Sequence, residues 1–332
     1  MDKKIKDVLN TNNSYWENKR KIDVISVYDD YKVKDALKIL ADNKILSLPV
    51  KERSTGDYLG FIDMNDILHS IIDAFLLKYP QKEGHDWVRL CNDVSEGEKF
   101  AEQPVFHLIN QSKRDHFIPV DENGSIHQLV DEIFSKDIHR VVVIDEDANT
   151  KGIMSQTDIL EFILENKKEI GDGKEFEQPI SELDIIEKDL LSINCDVMTI
   201  QCYYVMMQQN KSSIVLHGKD GEIVGDLSIT DLRGIDPDSF KLLLEPAKDF
   251  YKITSARRKK DSVVPLNTKF KDALQILYKN RLHRLWLTCD KKSCFGMLSI
   301  SNIMKYFARD YKERTPQLHK EFKPVTPSRV NY

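Results

Sequence analysis

One pattern of apolar and polar residues recurs four times along the chain and divides it into four similar units. Each copy contains a glycine, two mostly apolar residues, a small capping-type residue, two spacers and an Asp or Asn. The copies span residues 60–66, 152–158, 225–231 and 296–302. Self-similarity of this kind is typical of repeat architectures, so the pattern predicts four structural units of one design.

The upstream half of each unit repeats as well. Arg140, Ser213 and Arg284 each lie 18 positions before the last residue of their motif. In unit one the corresponding residue, Ser47, lies 19 positions before Asp66, with a Ser-Thr-Gly loop between them. Unrelated segments would rarely agree at several points in the same order, so we interpret the chain as a four-fold repeat.

Unit two indicates the elements of the repeat. Apolar residues at helical spacing (Ile126, Val130, Ile133 and Phe134) predict an amphipathic first helix. The β-branched run at 141–144 is typical of a buried strand, a short second strand follows at 152–154, and Ser155 opens a second helix. Each unit is therefore predicted as helix, strand, turn, strand and helix, which gives an α+β fold.

Unit three departs from this pattern at its end. Gly234 and Pro237 interrupt the helix that Asp231 is expected to start, and apolar residues resume only at 240–244. Because glycine and proline both disfavour a helix interior, the sequence predicts a shortened helix there.

A unit of about 60 residues buries too little surface to fold alone. We therefore expect two modules with a shared core each, formed by units one and two and by units three and four. The predicted ranges are 15–80 for unit one, 81–109 for a connector, 110–170 for unit two, 180–250 for unit three, 251–312 for unit four and 313–332 for an extended or weakly ordered tail. The connector contains Trp87, Val88 and Leu90 and is predicted to pack on the surface as a partly helical segment.

Composition narrows the function classes. The chain is 41% hydrophobic and 31% charged, as in folded soluble proteins, and its net charge of −5 provides no general field for nucleic acid. The sequence has no run of about 20 apolar residues for a membrane span and no apolar signal core at its start. Its five cysteines form no Cys-x-x-Cys motif, which favours a reducing compartment, the cytoplasm and also the nucleus, and argues against a metal site.

With these residues in view, the repeat resembles the cystathionine-β-synthase (CBS) domain. Four such domains in one chain resemble the gamma subunit of AMP-activated protein kinase and its relatives, over residues 23–311. The His-Arg pairs of units two and four, against small or apolar residues in units one and three, are similar to the gamma pattern. The resemblance implies tandem CBS domains in two paired modules that form a disk, with AMP, ADP or ATP as ligands in clefts facing its centre and no cofactor.

The resemblance also implies residue roles. Ribose would be held by Asp66, Asp158 and Asp231, and phosphate would be bound by His139, Arg140, His283 and Arg284. Ser155 and Ser228 would support the carboxylates. The sequence departs from the gamma pattern because unit two keeps Asp158 and unit four carries Asn302.

The chemistry of these side chains fits such roles. A carboxylate accepts two hydrogen bonds from a ribose diol, which Asn302 can do only in part, and the planar guanidinium of arginine matches phosphate oxygens. However, Ser155-x-x-Asp158 and Ser228-x-x-Asp231 also fit helix capping boxes. In addition, neighbours on a strand point to opposite faces, so His139 and Arg140 share a pocket only where the strand is frayed.

The leading hypothesis is a non-catalytic regulatory protein, not an enzyme, that binds an adenine nucleotide and acts on a protein partner such as a kinase complex. No catalytic motif or phosphate-binding glycine loop supports an enzyme. The alternative is a structural adaptor that keeps the four-repeat disk, binds proteins and holds no nucleotide. A third ligand class, S-adenosylmethionine, suits the aspartates but leaves the arginines without a phosphate.

Overall fold

The computed structural model describes most of the chain in eleven stretches. They are residues 3–9, 25–78, 86–95, 102–112, 117–147, 149–167, 170, 173–236, 238–255, 262–289 and 294–314. Pro237 and residues 315–332 of the predicted tail (313–332) lie outside the described residues, and the first two residues of that tail are helical.

The helices and strands follow one order in every unit, preceded by α1 (Ile5–Leu9). Unit one contains β1 (Val27–Tyr28), α2 (Val33–Asp42), β2 (Ser47–Lys51), β3 (Tyr58–Asp63) and α3 (Met64–Lys78), and α4 (Trp87–Ser95) lies in the connector. Unit two contains β4 (Pro119–Asp121), α5 (Ile126–Glu132), β5 (Arg140–Ile144), β6 (Thr150–Ser155) and α6 (Gln156–Glu165). Unit three contains β7 (Ser192–Asn194), α7 (Thr199–Gln208), β8 (Ser213–His217) and β9 (Ile223–Ser228), and α8 (Ala247–Ser255) leads to unit four. Unit four contains β10 (Val263–Pro265), α9 (Phe270–Asn280), β11 (Arg284–Thr288), β12 (Cys294–Ser299) and α10 (Ile300–Arg314).

Each unit forms a three-stranded sheet in which the first strand pairs parallel to the second and the third pairs antiparallel to it. Units three and four repeat this topology. The short entry strand is an addition to the predicted helix-strand-turn-strand-helix order. It is only two or three residues long, which leaves almost no alternation of apolar and polar positions to detect.

A left-handed residue follows the first helix at the same place in every unit. Lys44, Asp137, Asn210 and Arg281 have φ between 50° and 64°. Each lies three positions before the polar residue that opens the second strand. A single residue in this conformation ends a helix and turns the chain sharply, so the four units share this turn although none of them uses glycine for it.

The predicted pairing of cores is wrong. One continuous apolar core joins the helices of units two and four, and a second joins units one and three. Phe134 and Phe307 lie in the first core, and Leu40 and Tyr203 lie in the second. An apolar helix face shows how much surface the helix must bury against a partner. It does not show which helix that partner is, so the sequence pattern did not distinguish these pairings.

Units one and two, and units three and four, meet instead through their sheets. A small apolar cluster of Phe61, Val142 and Ile144 lies between units one and two. Between units three and four the contacts are polar: Ser262 Oγ donates to Asp226 Oδ1 at 2.8 Å. Together with the two cores, these contacts close the four units into a ring in the order one, two, four, three.

The helix of unit three that follows its motif is reduced to a single 3-10 turn, Ile229–Leu232. The chain then passes Gly234, with φ 84°, and resumes as a second 3-10 segment, Phe240–Leu244. The prediction of a shortened helix is therefore confirmed. The connector helix α4 packs against Phe240–Leu244 and fills the space of the missing turns.

Within α4, Trp87 and Leu90 are buried in the core of units one and three, and the Trp87 ring lies 5.2 Å from that of Tyr204. Val88 remains exposed, as does Leu77 at the end of α3. The connector is thus helical as predicted, but it belongs to the core and does not merely cover the surface.

In three units another segment packs so closely against the motif glycine that a Cβ would not fit there. A Cβ on Gly60 would lie 2.5 Å from Ile109 Cγ2, and one on Gly225 would lie 2.5 Å from the Tyr251 ring. On Gly296 the Cβ would overlap the side chain of Ile186. In each case a connecting segment passes closely over the glycine: the segments that leave units one and three lie over Gly60 and Gly225, and the segment that enters unit three lies over Gly296.

Replacing Gly60 with alanine should lower the free energy of unfolding by about 1–3 kcal/mol, since the new methyl group overpacks against Ile109. Ile109→Ala removes Cγ2, and the remaining Cβ lies at an ordinary 3.9 Å from the position of the new methyl. Denaturant titration of both single variants and the double variant should therefore give a double-variant cost smaller than the sum of the single costs. Additive costs would show that the close approach of Ile109 is not the reason for the glycine.

Candidate functional site

The antiparallel register of each unit brings the two halves of its motif together. Arg140 pairs with Ser155 in unit two, and Arg284 pairs with Ser299 in unit four. The carbonyl of the preceding residue, His139 in unit two, accepts from the first amide of the following helix at 3.0 Å. Each His-Arg pair therefore lies beside the N-terminus of the helix that carries its Asp or Asn, which explains the constant spacing.

The residue that ends each motif caps its own helix. One side-chain oxygen accepts from the backbone N–H three residues earlier: Asp66 from Asp63 at 3.0 Å, Asp158 from Ser155 at 2.7 Å, Asp231 from Ser228 at 2.8 Å and Asn302 from Ser299 at 2.9 Å. The Ser155 and Ser228 hydroxyls donate to the same oxygen, Oδ2, at 2.8 and 3.2 Å. The capping interpretation is thus confirmed, and the ribose roles of the three aspartates remain predictions.

Both oxygens of Asp66 accept backbone hydrogen bonds. Oδ2 accepts from Asp63, and Oδ1 accepts from the Ser112 N–H at 2.8 Å. The side chain is buried, and Asp63 occupies the capping position that serine holds in the other units. Burial first, and the Asp63 charge second, raise the pKa of Asp66 to about 8. This carboxyl therefore favours its neutral form, which is less suited to a ribose diol than a carboxylate.

Basic side chains from units two, three and four lie close enough for their charges to act on one another. We call the site lined by His139, Arg140, Arg233, His283 and Arg284 the central recess. Burial first, and then the charges of Arg284, His139, Arg233 and Arg140 in that order, lower the pKa of His283 to about 3. His283 is thus neutral at pH 7, although the residue as a whole is exposed.

Two arginines tie the central recess to neighbouring units. Arg284 donates from Nη1 to the Ser212 carbonyl at 3.0 Å and from Nη2 to the Ser212 hydroxyl at 3.1 Å, which joins unit four to unit three. The guanidinium of Arg140 lies 5.8 Å from the centre of the Phe61 ring in unit one. Both arginines are half-buried, so their donors are held in place by packing.

The strand alternation that argued against a joint role for His and Arg does not apply here. The strands β5 and β11 begin at Arg140 and Arg284, so His139 and His283 lie just before them. The frayed strand end that sequence reasoning required is therefore present. His139, Arg140 and Arg284 all act on His283, so the two His-Arg pairs lie in one region.

Arg233 was not predicted from the sequence. It follows the 3-10 turn of unit three, and burial and the nearby Arg281 lower its pKa while Asp231 raises it. The sequence does contain a signal for this residue: Arg233 lies two residues after the motif aspartate, where the other units have an apolar residue.

The described part of the chain shows neither a metal-binding cluster nor a membrane-spanning helix. Among those residues, no group of three or more His, Cys, Asp or Glu side chains is arranged to hold a metal ion. The helices of the same residues do not include one with the length and apolarity of a membrane span.

The state of Asp66 predicts a pH dependence. An aspartate in an unfolded chain titrates near pH 4, whereas folded Asp66 keeps its proton up to about pH 8. The folded state therefore binds the extra proton between these values, and the carboxyl makes it progressively less stable as pH rises through the window. Asp66→Asn cannot ionise, so its thermal midpoint relative to the unsubstituted protein should rise between about pH 5 and about pH 8.

The isosteric amide gives up one accepted hydrogen bond, a cost that does not depend on pH, so the readout is the change of the difference with pH. Asp57→Asn, which alters an exposed carboxylate in the same unit, is the control. A difference for Asp66→Asn that stays constant across this range would mean that the group is ionised in the folded protein.

The sequence of this chain is similar to a known domain and to known proteins. The sequence model of the CBS domain matches residues 19–73, 112–165 and 258–309, which fall in units one, two and four. The chain is 21% identical over 307 residues to protein SDS23 of Candida albicans, covering 84% of this chain and 48% of that protein. It is 23% identical over 292 residues to the AMP-activated protein kinase gamma subunit of Kluyveromyces lactis, with 82% of each chain covered. The chain spans about half the length of the SDS23 relatives that it matches.

Among solved structures, protein MJ1225 of Methanocaldococcus jannaschii, described as an archaeal homologue of g-AMPK, superposes with a TM-score of 0.62 at 16% identity. The match covers 88% of this chain and 98% of that one. Unit three, which the family model does not match, has the same sheet topology as the others. The predicted α+β fold is confirmed, the family model identifies three CBS domains in the chain, and the chain is related to SDS23 and to the gamma subunit of AMP-activated protein kinase.

Proposed function

We propose that this protein is a non-catalytic regulator that binds an adenine nucleotide, AMP, ADP or ATP, in the central recess and reports its presence to a protein partner. The observation that supports the proposal is the convergence of five basic side chains from units two, three and four. Grouping like charges in a concavity costs free energy unless an anion offsets it, and a phosphate group is a suitable anion for guanidinium donors.

Specific roles follow from this arrangement. Arg140 and Arg284 would donate to phosphate oxygens, and His139 and neutral His283 would each supply a ring N–H. Asp231 is the preferred ribose acceptor because its charge reaches Arg233, so it lies next to the basic side chains. Asp158 is the second choice, with Ser155 and Ser228 orienting the two carboxylates. Asp66, which favours its neutral form, and Asn302 are the weakest ribose acceptors.

The partner would be a protein kinase complex, by analogy with the gamma subunit to which the chain is similar. The central recess is lined by units that belong to both apolar cores. A ligand that bridges them would favour one packing of the two cores over another, and such coupling between sites typically amounts to about 1–3 kcal/mol. We propose a cytoplasmic and nuclear location, as expected for such a partner.

A second candidate function is that of a structural adaptor that binds proteins and no nucleotide. Asp66 has both oxygens engaged by backbone amides, and Arg284 already donates twice to Ser212. These contacts stabilise the ring itself and require no ligand. S-adenosylmethionine is disfavoured as a ligand, since its sulfonium charge would be repelled by the basic side chains.

Calorimetric titration with AMP and with ATP tests the proposal. The unsubstituted protein should bind at least one of them, and Arg140→Gln should weaken that binding by about 10- to 100-fold, the effect of losing a charge-assisted hydrogen bond of roughly 1.5–3 kcal/mol. The affinity should also fall as the salt concentration rises.

Arg53→Gln is the matched control. Arg53 also stacks on an aromatic ring, with its guanidinium 4.3 Å from the centre of Tyr28, but it is exposed and pairs with Asp30 within unit one. This variant should keep the nucleotide affinity. If the unsubstituted protein gives no binding heat with either nucleotide and carries none when denatured, the adaptor function is favoured.

A further inference from the structure

Unit two has a polar residue at a repeat position where the other three units have apolar ones. The residue that follows the capping position is Met64, Ile229 and Ile300 in units one, three and four, and it is Gln156 in unit two, with 5% of its surface exposed. In every unit the backbone N–H of this residue donates to the carbonyl that precedes the second strand, and in unit two that carbonyl is His139 O, at 3.0 Å. Burying an amide side chain is costly unless its hydrogen bonds are made, so the partners of Gln156 decide what it contributes.

The NH₂ group of this amide holds the turn that leads to the His-Arg pair. Gln156 Nε2 donates to Phe134 O at 3.1 Å and to Ile138 O at 3.0 Å. The two carbonyls lie at the start and at the end of this turn, which consists of a 3-10 segment and one left-handed residue. Gln156 therefore binds the residue directly before His139 through its side chain and His139 itself through its backbone.

The other units close the same turn with backbone groups. The residue after the left-handed one donates its N–H to the carbonyl five positions earlier, which is Ile45 to Leu40 at 3.0 Å, Lys211 to Met206 at 2.8 Å and Leu282 to Leu277 at 2.9 Å. This is one of the two bonds of the Schellman motif that commonly ends a helix. In unit two α5 ends at Glu132 and the 3-10 segment follows, and the side chain of Gln156 supplies donors to the turn.

The oxygen of the same amide contacts unit four. Ser301, the second residue of α10, donates from Oγ to Gln156 Oε1 at 3.2 Å. The residue before it, Ile300, donates its backbone N–H to His283 O at 3.0 Å. A series of hydrogen bonds through these residues thus connects the carbonyl of His139 with that of His283, across the boundary between units two and four.

We propose that Gln156 is a positioning residue, which fixes the His139–Arg140 pair for a phosphate ligand and couples this pair to the start of α10 through Ser301. The part that concerns the ligand rests on the proposed function and adds to it a connection between the two His-Arg pairs. Gln156 acts through the pair, because its side chain bonds to backbone carbonyls and to Ser301. Since one amide group makes all three bonds, a shift of the helix start in unit four alters the group that holds the turn in unit two.

Hydrogen exchange of the protein without ligand tests the positioning. Gln156→Met introduces the residue that unit one carries here and removes the donors to Phe134 O and Ile138 O. The amides of residues 134–140 should then exchange about 10-fold faster, because the turn opens locally more often. Ser301→Ala keeps both carbonyl contacts and removes the link to unit four, so it should raise the same rates by about threefold.

Gln128→Met is the matched control, since it makes the same chemical change at the other end of α5. There Gln128 Oε1 accepts from Ser125 N at 3.3 Å and from Ser125 Oγ at 3.2 Å. This variant should leave the exchange of residues 134–140 unchanged. Thermal midpoints verify that each variant is folded, and if Gln156→Met is not, the milder Ser301→Ala decides the inference.

Calorimetry with AMP and with ATP tests the part that concerns the ligand. Gln156→Met should weaken binding by about 10-fold, and Gln128→Met should leave the affinity unchanged. In a protein that already carries Arg140→Gln, the further change Gln156→Met should cost about threefold or less, because a group that it positions is already absent. A merely structural role of Gln156 would weaken binding equally with and without Arg140.

The outcomes separate this inference from the function on which it rests. Unchanged exchange of residues 134–140 in both variants, or an equal loss of affinity with and without Arg140, overturns the inference and leaves nucleotide binding intact. Faster exchange in Gln156→Met but not in Ser301→Ala overturns the coupling to unit four. Faster exchange in both variants, without binding of either nucleotide, supports Gln156 as the residue that positions the pair and overturns the proposed function.

Discussion

The register between the two long strands of each unit is the constraint on which the site depends. Pairing Arg140 with Ser155, and Arg284 with Ser299, fixes the start of one strand against the end of the other. A slip by one residue would turn every side chain of the strand to the opposite face. The capping oxygen then orders the helix start at the same point, so a strand register and a helix cap together position a basic pair beside an acidic or amide group.

Because the four units close into a ring, the local geometry of each unit is placed next to that of two others. The apolar cores join units one with three and two with four, whereas sheets join one with two and three with four. Each unit therefore has two neighbours, and the His-Arg pairs of units two and four come close enough for their charges to interact. Arg284, bonded to Ser212, shows that part of this charge also holds the ring together.

The sequence was informative about each unit and less informative about how units combine. The strands and the shortened third helix followed from local patterns, because the β-branched runs and Gly234 act on their own neighbours in the chain. The pairing of cores did not, since Phe134 and Leu40 satisfy the same helical spacing whichever helix lies opposite. Arg233 was missed for a related reason: it is an ordinary polar residue until the three apolar counterparts in the aligned units are considered.

Capping of the helix and binding of a ribose need not exclude each other in every unit. A carboxylate has about four acceptor positions, so the Ser228 amide and hydroxyl on Oδ2 of Asp231 fix the group in orientation while leaving its charge. Asp66 is in a different position, because Ser112 engages its second oxygen and burial beside Asp63 favours its protonated form. The motif ends of the four units are therefore chemically unequal, with a carboxyl that favours its neutral form in unit one and an amide in unit four.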